Sequence, residues 1–273
     1  MSSSSIENAA RVVVLSIAVS KNGVPTGPTV GANASDGGPA GQVPTSRKDR
    51  PSRRSSPAPT TSYFLDMPTR PARAALRYVA LGDSYTIGTS VAPGDRWPDQ
   101  LVASLREATP TLELVANLGV NGYTSADLLR DELPALARLE PEFVSVLIGV
   151  NDVVQGVPAA TYEEHVAAIL DALLEGQPAA RILTVATPDY TVTPAGADYG
   201  DPDLQHAGIV ATNATMERLA TRRGIAFVDT FDLSLPAAHD RTLVAADGLH
   251  PSGAQYTLWV DRIRPVVEDL LRR

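Results

Sequence analysis

From about Arg73 to the C-terminus the chain alternates between two hydrophobic patterns. Five short runs, Tyr78–Leu81, Leu112–Ala116, Phe143–Ile148, Ile182–Ala186 and Ile225–Val228, are apolar at nearly every position, as strands buried on both faces are. Between them apolar residues recur at helical spacing. Trp97–Ala108 aligns Trp97, Leu101, Val102 and Leu105. Tyr162–Leu174 aligns Val166, Ile169, Leu170, Leu173 and Leu174, and Asp203–Arg223 and Gly253–Leu271 complete the series. Ser125–Leu139 carries Leu128, Leu129, Leu133 and Leu136, with Pro134 expected to bend or split it; the last helix is expected to kink near Pro265. Strands alternating with helices imply a three-layer α/β/α fold around a five-stranded parallel sheet. Right-handed crossovers then bring every strand-to-helix loop to one edge. Two of those loops, Thr187–Pro202 and Asp229–His250, are long, and long loops in a compact domain are usually functional.

Upstream the pattern is lost. Residues 1–72 are rich in Ser, Pro, Gly, Thr and Arg and show no period; they cannot bury enough apolar surface to offset ordering their backbone. The expected organisation is a disordered low-complexity segment over 1–72 and one domain over 73–273. Met67, just before the first strand, is an alternative start of translation. The net charge of −8 divides unequally, with +4 on residues 1–72 and −12 on residues 73–273. So acidic a body disfavours nucleic acid and anionic membranes as partners. With no cysteine there is no disulfide, thiolate metal site or cysteine nucleophile. No run reaches the roughly 18 apolar residues of a membrane span, so no stable membrane insertion is expected. The expected location is the cytoplasm, with secretion the alternative if Val12–Val19 acts as a signal core.

The strand ends carry the chemistry. After the first comes Gly82-Asp83-Ser84, where the serine is either a nucleophile or the cap of the next helix. After the second comes Asn117-Leu118-Gly119-Val120-Asn121-Gly122, able to present backbone N–H groups. The third ends in Gly149-Val150-Asn151-Asp152, and beyond the fifth lies Asp247-Gly248-Leu249-His250. A serine hydroxyl needs a base, which a neutral imidazole supplies, and a carboxylate three residues before His250 can reach its other ring nitrogen. Oxyanion donors are available in the Ser84 N–H, the Gly122 N–H and the Asn151 amide, with Gly119 a second candidate in the same loop.

These four blocks, in this order and each just past a strand, resemble those of the SGNH hydrolases, the GDSL-type esterase/lipase family, over about residues 76–271. The resemblance implies a flavodoxin-like five-stranded sheet, Ser84 as nucleophile, His250 as base and Asp247 as its orienting carboxylate. It further implies an oxyanion hole of Ser84, Gly122 and Asn151, with Gly122 fitting the family spacing better than Gly119. The function expected is hydrolysis of small or short-chain esters through an acyl-enzyme, without cofactor or metal. Alternatives within the family are a lysophospholipase, an acyl-thioesterase or a carbohydrate acetylesterase. A flavodoxin-like nucleotide-binding module is the alternative of another class, disfavoured because no Gly-x-Gly and no Gly-Lys-Ser/Thr occurs. Oligomeric state is not legible. Asp83 and Asp152 are expected to brace the loops, His165 to lie on a solvated helix face, and His206 and His239 to be surface histidines. Asp198, Asp201 and Asp203 are expected to be solvated, and Tyr190 and Tyr199 to line substrate or pack their loop.

Overall fold

A computed structural model describes residues 75–108 and 110–273. The expectations for residues 1–72, including the signal core and the alternative start, lie outside the described residues. Five strands, β1 (Leu76–Gly82), β2 (Leu112–Asn117), β3 (Phe143–Leu147), β4 (Ile182–Val185) and β5 (Ala226–Val228), form one sheet in the order β2-β1-β3-β4-β5. Every pairing is parallel. All five fall on the apolar runs of the sequence, and the α/β fold expected from them is the fold observed.

The helices are α1 (Ser84–Ile87), α2 (Trp97–Ser104), α3 (Ser125–Asp127), α4 (Leu133–Leu136), α5 (Val150–Val154), α6 (Ala159–Gly176), α7 (Pro202–Arg222) and α8 (Gly253–Arg272). Side chains alternate across the sheet as the strand period of two requires. Tyr78, Ala80, Phe143, Leu147, Leu183 and Val185 face α2 and α8, where Trp97, Leu101, Tyr256, Trp259 and Ile263 meet them. Val79, Leu81, Val144, Val146 and Ile182 face the other way, against Val166, Ile169 and Leu170 of α6 and Met216 and Leu219 of α7. Because β1 leads outward to β2 while β3, β4 and β5 follow on its other side, the winding direction reverses between β1 and β3. Open α/β sheets place ligands at this reversal, outside the carboxyl ends of the strands.

Two helices differ from expectation. Trp97–Ala108 stops at Ser104, where Leu105 N–H is shared between the carbonyls of Leu101 and Val102. Ser125–Leu139 is divided more finely than one proline would require. Thr124 and Asp127 form a capping box that starts α3, and residues Leu128–Glu132 then make a π-helical turn in which Leu133 N–H reaches the Leu128 carbonyl. Pro134, in the first turn of α4, has no N–H to continue the preceding α-helical ladder. By contrast α8 runs through Pro265, which is exposed, so water can satisfy the carbonyl left without a donor.

The core is therefore two apolar layers on one sheet, and a central side chain in either layer should be costly to remove. Ile169→Ala, fully buried in the middle of α6, is expected to lower unfolding free energy by about 3 kcal/mol. Val210→Ala, on the exposed face of α7, should change it by less than about 0.5 kcal/mol. Urea denaturation of the two variants checks the contrast.

Candidate functional site

β1 ends where its backbone has to turn at once. A Cβ on Gly82 would lie 2.1 Å from the Leu147 carbonyl oxygen and 2.5 Å from Thr86 Oγ1, and its φ is +146°. Glycine is thus required on two counts, close approach and backbone angle. The next residue, Asp83, is fully buried and caps α1, its Oδ1 accepting the Tyr85 N–H at 3.0 Å. Ser84 is consequently not the helix cap. It is the first residue of α1, 7% exposed, and neither its hydroxyl nor its N–H has a partner among the described residues.

The loop after β2 closes over this turn. Val120 N–H bonds the Gly82 carbonyl at 3.1 Å. A Cβ on Gly119 would lie 2.8 Å from both the Asp83 carbonyl oxygen and the Ile87 nitrogen, so this glycine lets the loop pack onto α1. Its N–H donates to Asn117 Oδ1 at 3.2 Å. Gly122, at φ +81°, has open space around it, and its N–H has no acceptor among the described residues. Of the two candidate glycines, Gly122 is the one with a free donor. Asn151, in the first turn of α5, donates through Nδ2 to the Tyr123 carbonyl at 2.9 Å, which sets its amide beside Gly122 and leaves its second hydrogen unused.

Asp247 and His250 meet in the long loop after β5. His250 Nδ1 lies 2.6 Å from Asp247 Oδ2; an ionised carboxylate only accepts, so Nδ1 carries the proton and Nε2 is left as the basic nitrogen. Partial burial pushes the Asp247 carboxyl up. The Ser90 hydroxyl, the Leu249 N–H, the His250 ring and the His250 N–H outweigh it and hold the carboxyl down at about 2. Ser90 donates to Oδ2 at 2.6 Å from a backbone with φ +66°, a strained position for a serine. The His250 ring packs on Tyr85, with centroids 5.6 Å apart, and the Tyr256 hydroxyl holds the Tyr85 carbonyl at 3.0 Å. These contacts bring the Asp247–His250 turn to the residue after Ser84. Ser84 and His250 themselves make no direct hydrogen bond; such bonds commonly tighten only with substrate.

Other side chains at this edge brace the loops, and several of them are not legible in the sequence. Asp152 accepts the Ser125 N–H at 2.9 Å and the Ser125 hydroxyl at 2.5 Å. His165 Nδ1 then donates to Ser125 Oγ at 2.9 Å, so His165 is half-buried and engaged rather than on a solvated face. His206 is exposed on one side, yet its Nδ1 lies 2.6 Å from Asp189, a fully buried carboxylate. Asp201 is exposed and also caps α7. Tyr190 and Tyr199 pack edge to face with centroids 5.8 Å apart, and the Tyr190 hydroxyl reaches Gln205. The loop between β4 and α7 also bonds the Asp247–His250 turn directly, Ala195 N–H donating to the Gly248 carbonyl at 3.0 Å. A cavity of about 610 Å³ lies at the opposite, amino-terminal edge of the sheet between α2 and α8, too far from Ser84 to serve it. Among the described residues no three potential ligands cluster as a metal site, and no helix is long and apolar enough to cross a membrane.

Comparison with known proteins agrees with the fold. The family model described as "GDSL-like Lipase/Acylhydrolase family" matches residues 80–258. Among solved structures, TesA is similar with a TM-score of 0.55 and 22% identity, covering 71% of this chain and 99% of its own. LAE5, an alpha/beta hydrolase enzyme from the metagenome of Lake Arreo, Spain, has a TM-score of 0.58 and 22% identity over 73% of this chain and 98% of its own. Axe2, an acetylxylan esterase from Geobacillus stearothermophilus, has a TM-score of 0.56 and 20% identity over 72% of this chain and 95% of its own. At these identities the likeness is one of fold. No curated protein sequence matches the chain.

The Ser90 contact has a direct consequence. Ser90→Gly relieves the positive φ and removes one donor from Asp247, so the Asp247 carboxyl should titrate higher, toward the ordinary carboxylate range. Carboxyl-carbon NMR titration of the variant against the parent protein measures that rise.

Proposed function

The chain belongs to the GDSL-like lipase/acylhydrolase family and is an ester-bond hydrolase, and on that premise we propose that it works through an acyl-enzyme on Ser84 with His250 as base and Asp247 as its partner. The observation that carries the reading is the Asp247–His250 pair, which fixes the proton on Nδ1 and leaves Nε2 free on the same sheet edge as an unpartnered serine hydroxyl. Ser84 Oγ attacks the ester carbonyl and its proton passes to His250 Nε2. The negative charge formed on the carbonyl oxygen is met by the Ser84 N–H, the Gly122 N–H and the free hydrogen of Asn151 Nδ2. As the C–O bond breaks, His250 gives its proton to the departing alcohol. Water then attacks the Ser84 ester by the same route and releases the acid. Asp247, held ionised, stabilises the imidazolium at both stages without changing its own protonation.

The substrate class that fits best is an uncharged small or short-chain ester. The −12 charge of residues 73–273 disfavours anionic acyl carriers and anionic lipid surfaces. An acetylated carbohydrate of the kind that Axe2, an acetylxylan esterase, acts on is the second reading, and it falls within the same preference for short acyl groups.

Turnover of a series of nitrophenyl esters of increasing acyl length tests the proposal, with Ser84→Ala as background. Activity should be highest on the shortest acyl groups; hydrolysis undiminished in Ser84→Ala would remove Ser84 from the mechanism. Asn151→Ala should lower kcat by about a hundred- to a thousandfold, with KM changed little.

A further inference from the structure

One buried acid at this edge takes no part in the mechanism above. Glu132, the last residue of the π-helical turn, is 3% exposed. Its Oε2 accepts the Gly82 N–H at 2.8 Å, two residues before Ser84. Its Oε1 is buried with no partner among the described residues, and the same is true of Oδ2 of Asp83, the residue that follows Gly82. Two buried carboxyls thus flank one glycine, and each has an oxygen that lacks a hydrogen. A carboxylic acid has its own O–H donor, whereas a carboxylate has none. The ionisable groups acting on Glu132 do not balance a negative charge either: Asp83 at the end of β1, and Asp131 and Asp127 on its own helical segment, are all acids.

We propose that Glu132 is a positioning residue kept as a neutral carboxylic acid, which anchors the Gly82–Ser84 turn so that the Ser84 hydroxyl and N–H keep their places. The inference rests on Ser84 being the nucleophile. Desolvation pushes Glu132 up to about 9, against the one hydrogen bond from Gly82, and the Asp83 charge adds to the rise. Desolvation likewise pushes Asp83 up, to about 8. Neutrality matters for the reaction as well as for folding. A carboxylate at this depth would oppose the negative charge that builds on the substrate oxygen next to the Ser84 N–H.

The sign of the pH effect follows. A carboxyl raised in the folded state contributes stability that is complete below its unfolded pKa, near 4.3. That stability is lost as pH rises through the folded value of about 9.

The test compares Glu132→Gln, which keeps an acceptor for Gly82 and cannot ionise, with Glu132→Ala, which removes the acceptor. Urea midpoints between pH 5 and 9 are measured first. The parent midpoint should fall as pH rises, and that of Glu132→Gln should fall less, the remaining slope belonging to Asp83. Equal slopes would mean that Glu132 is ionised in the native protein and would overturn the proposal. Ester hydrolysis is measured second. Glu132→Gln should keep kcat within about threefold at pH 7 and lose activity less steeply above pH 8 than the parent. Glu132→Ala should lose tenfold or more in kcat with KM nearly unchanged. If Glu132→Gln loses kcat as fully as Glu132→Ala, the neutral isostere does not suffice and the positioning role fails. The denaturation comparison needs no turnover, so the protonation state of Glu132 is decided even if Ser84→Ala shows that the nucleophile lies elsewhere.

Discussion

The candidate site depends on how tightly the chain can turn at the end of β1. Gly82 is pressed against the Leu147 carbonyl of the neighbouring strand, closer than any side chain would permit. Because β1 is flanked by both β2 and β3, the loops that leave either neighbour can be registered against its end. The Gly82 carbonyl holds the loop that leads to Gly122, and β3, which crowds it, continues into Gly149 and Asn151. The Gly82 N–H is held from below by Glu132. One residue without a side chain thus relates the serine to two of its three oxyanion-donor candidates. A Cβ there would have to displace backbone, and close-packed interiors transmit such shifts.

How much of this is legible in the sequence depends on whether a feature is local. All five strands are legible because parallel strands buried on both faces have little freedom in composition. The Asp247–His250 pair is legible because its partners are three residues apart on one turn. The role of Asp83 is harder to read. Asp83 and Ser84 are both good cap residues, and only the backbone angles decide which one precedes the first helical turn. Ser90 is not legible at all. Its hydroxyl meets Asp247, a residue 157 positions away, across two loops without periodicity. The same holds for Ser125 with Asp152 and His165, and for His206 with Asp189. Each histidine sits in a polar or exposed stretch, and only the packing of α6 on α3, and of α7 on the loop after β4, supplies its partner. Glu132 does leave a trace: it lies four residues from Leu128 and four from Leu136, both of which are buried. An acid on the apolar face of a helix, at core spacing, is the kind of local inconsistency that marks functional sites.

The same chemical group is present in two opposite states within this edge, and the number of donors around each decides which. Asp247 is partly exposed and has four hydrogen-bond donors. Its carboxyl is held far below the ordinary range despite a desolvation penalty. Asp83 and Glu132 are buried, each with a single backbone donor, and desolvation wins. Pairs of carboxyls driven apart in this way separate the tasks of a site. Among these three acids the division leaves one fixed negative charge, placed beside the imidazole that becomes positive in the proposed mechanism. The deeper acids, behind the turn that bears the serine, hold protons and add no field of their own. In the proposed mechanism the oxyanion forms at that turn, so this is where an additional charge would cost most. The acidity of the domain as a whole therefore need not burden the proposed reaction, provided that Asp83 and Glu132 stay neutral and Asp247 carries its charge on the far side of His250.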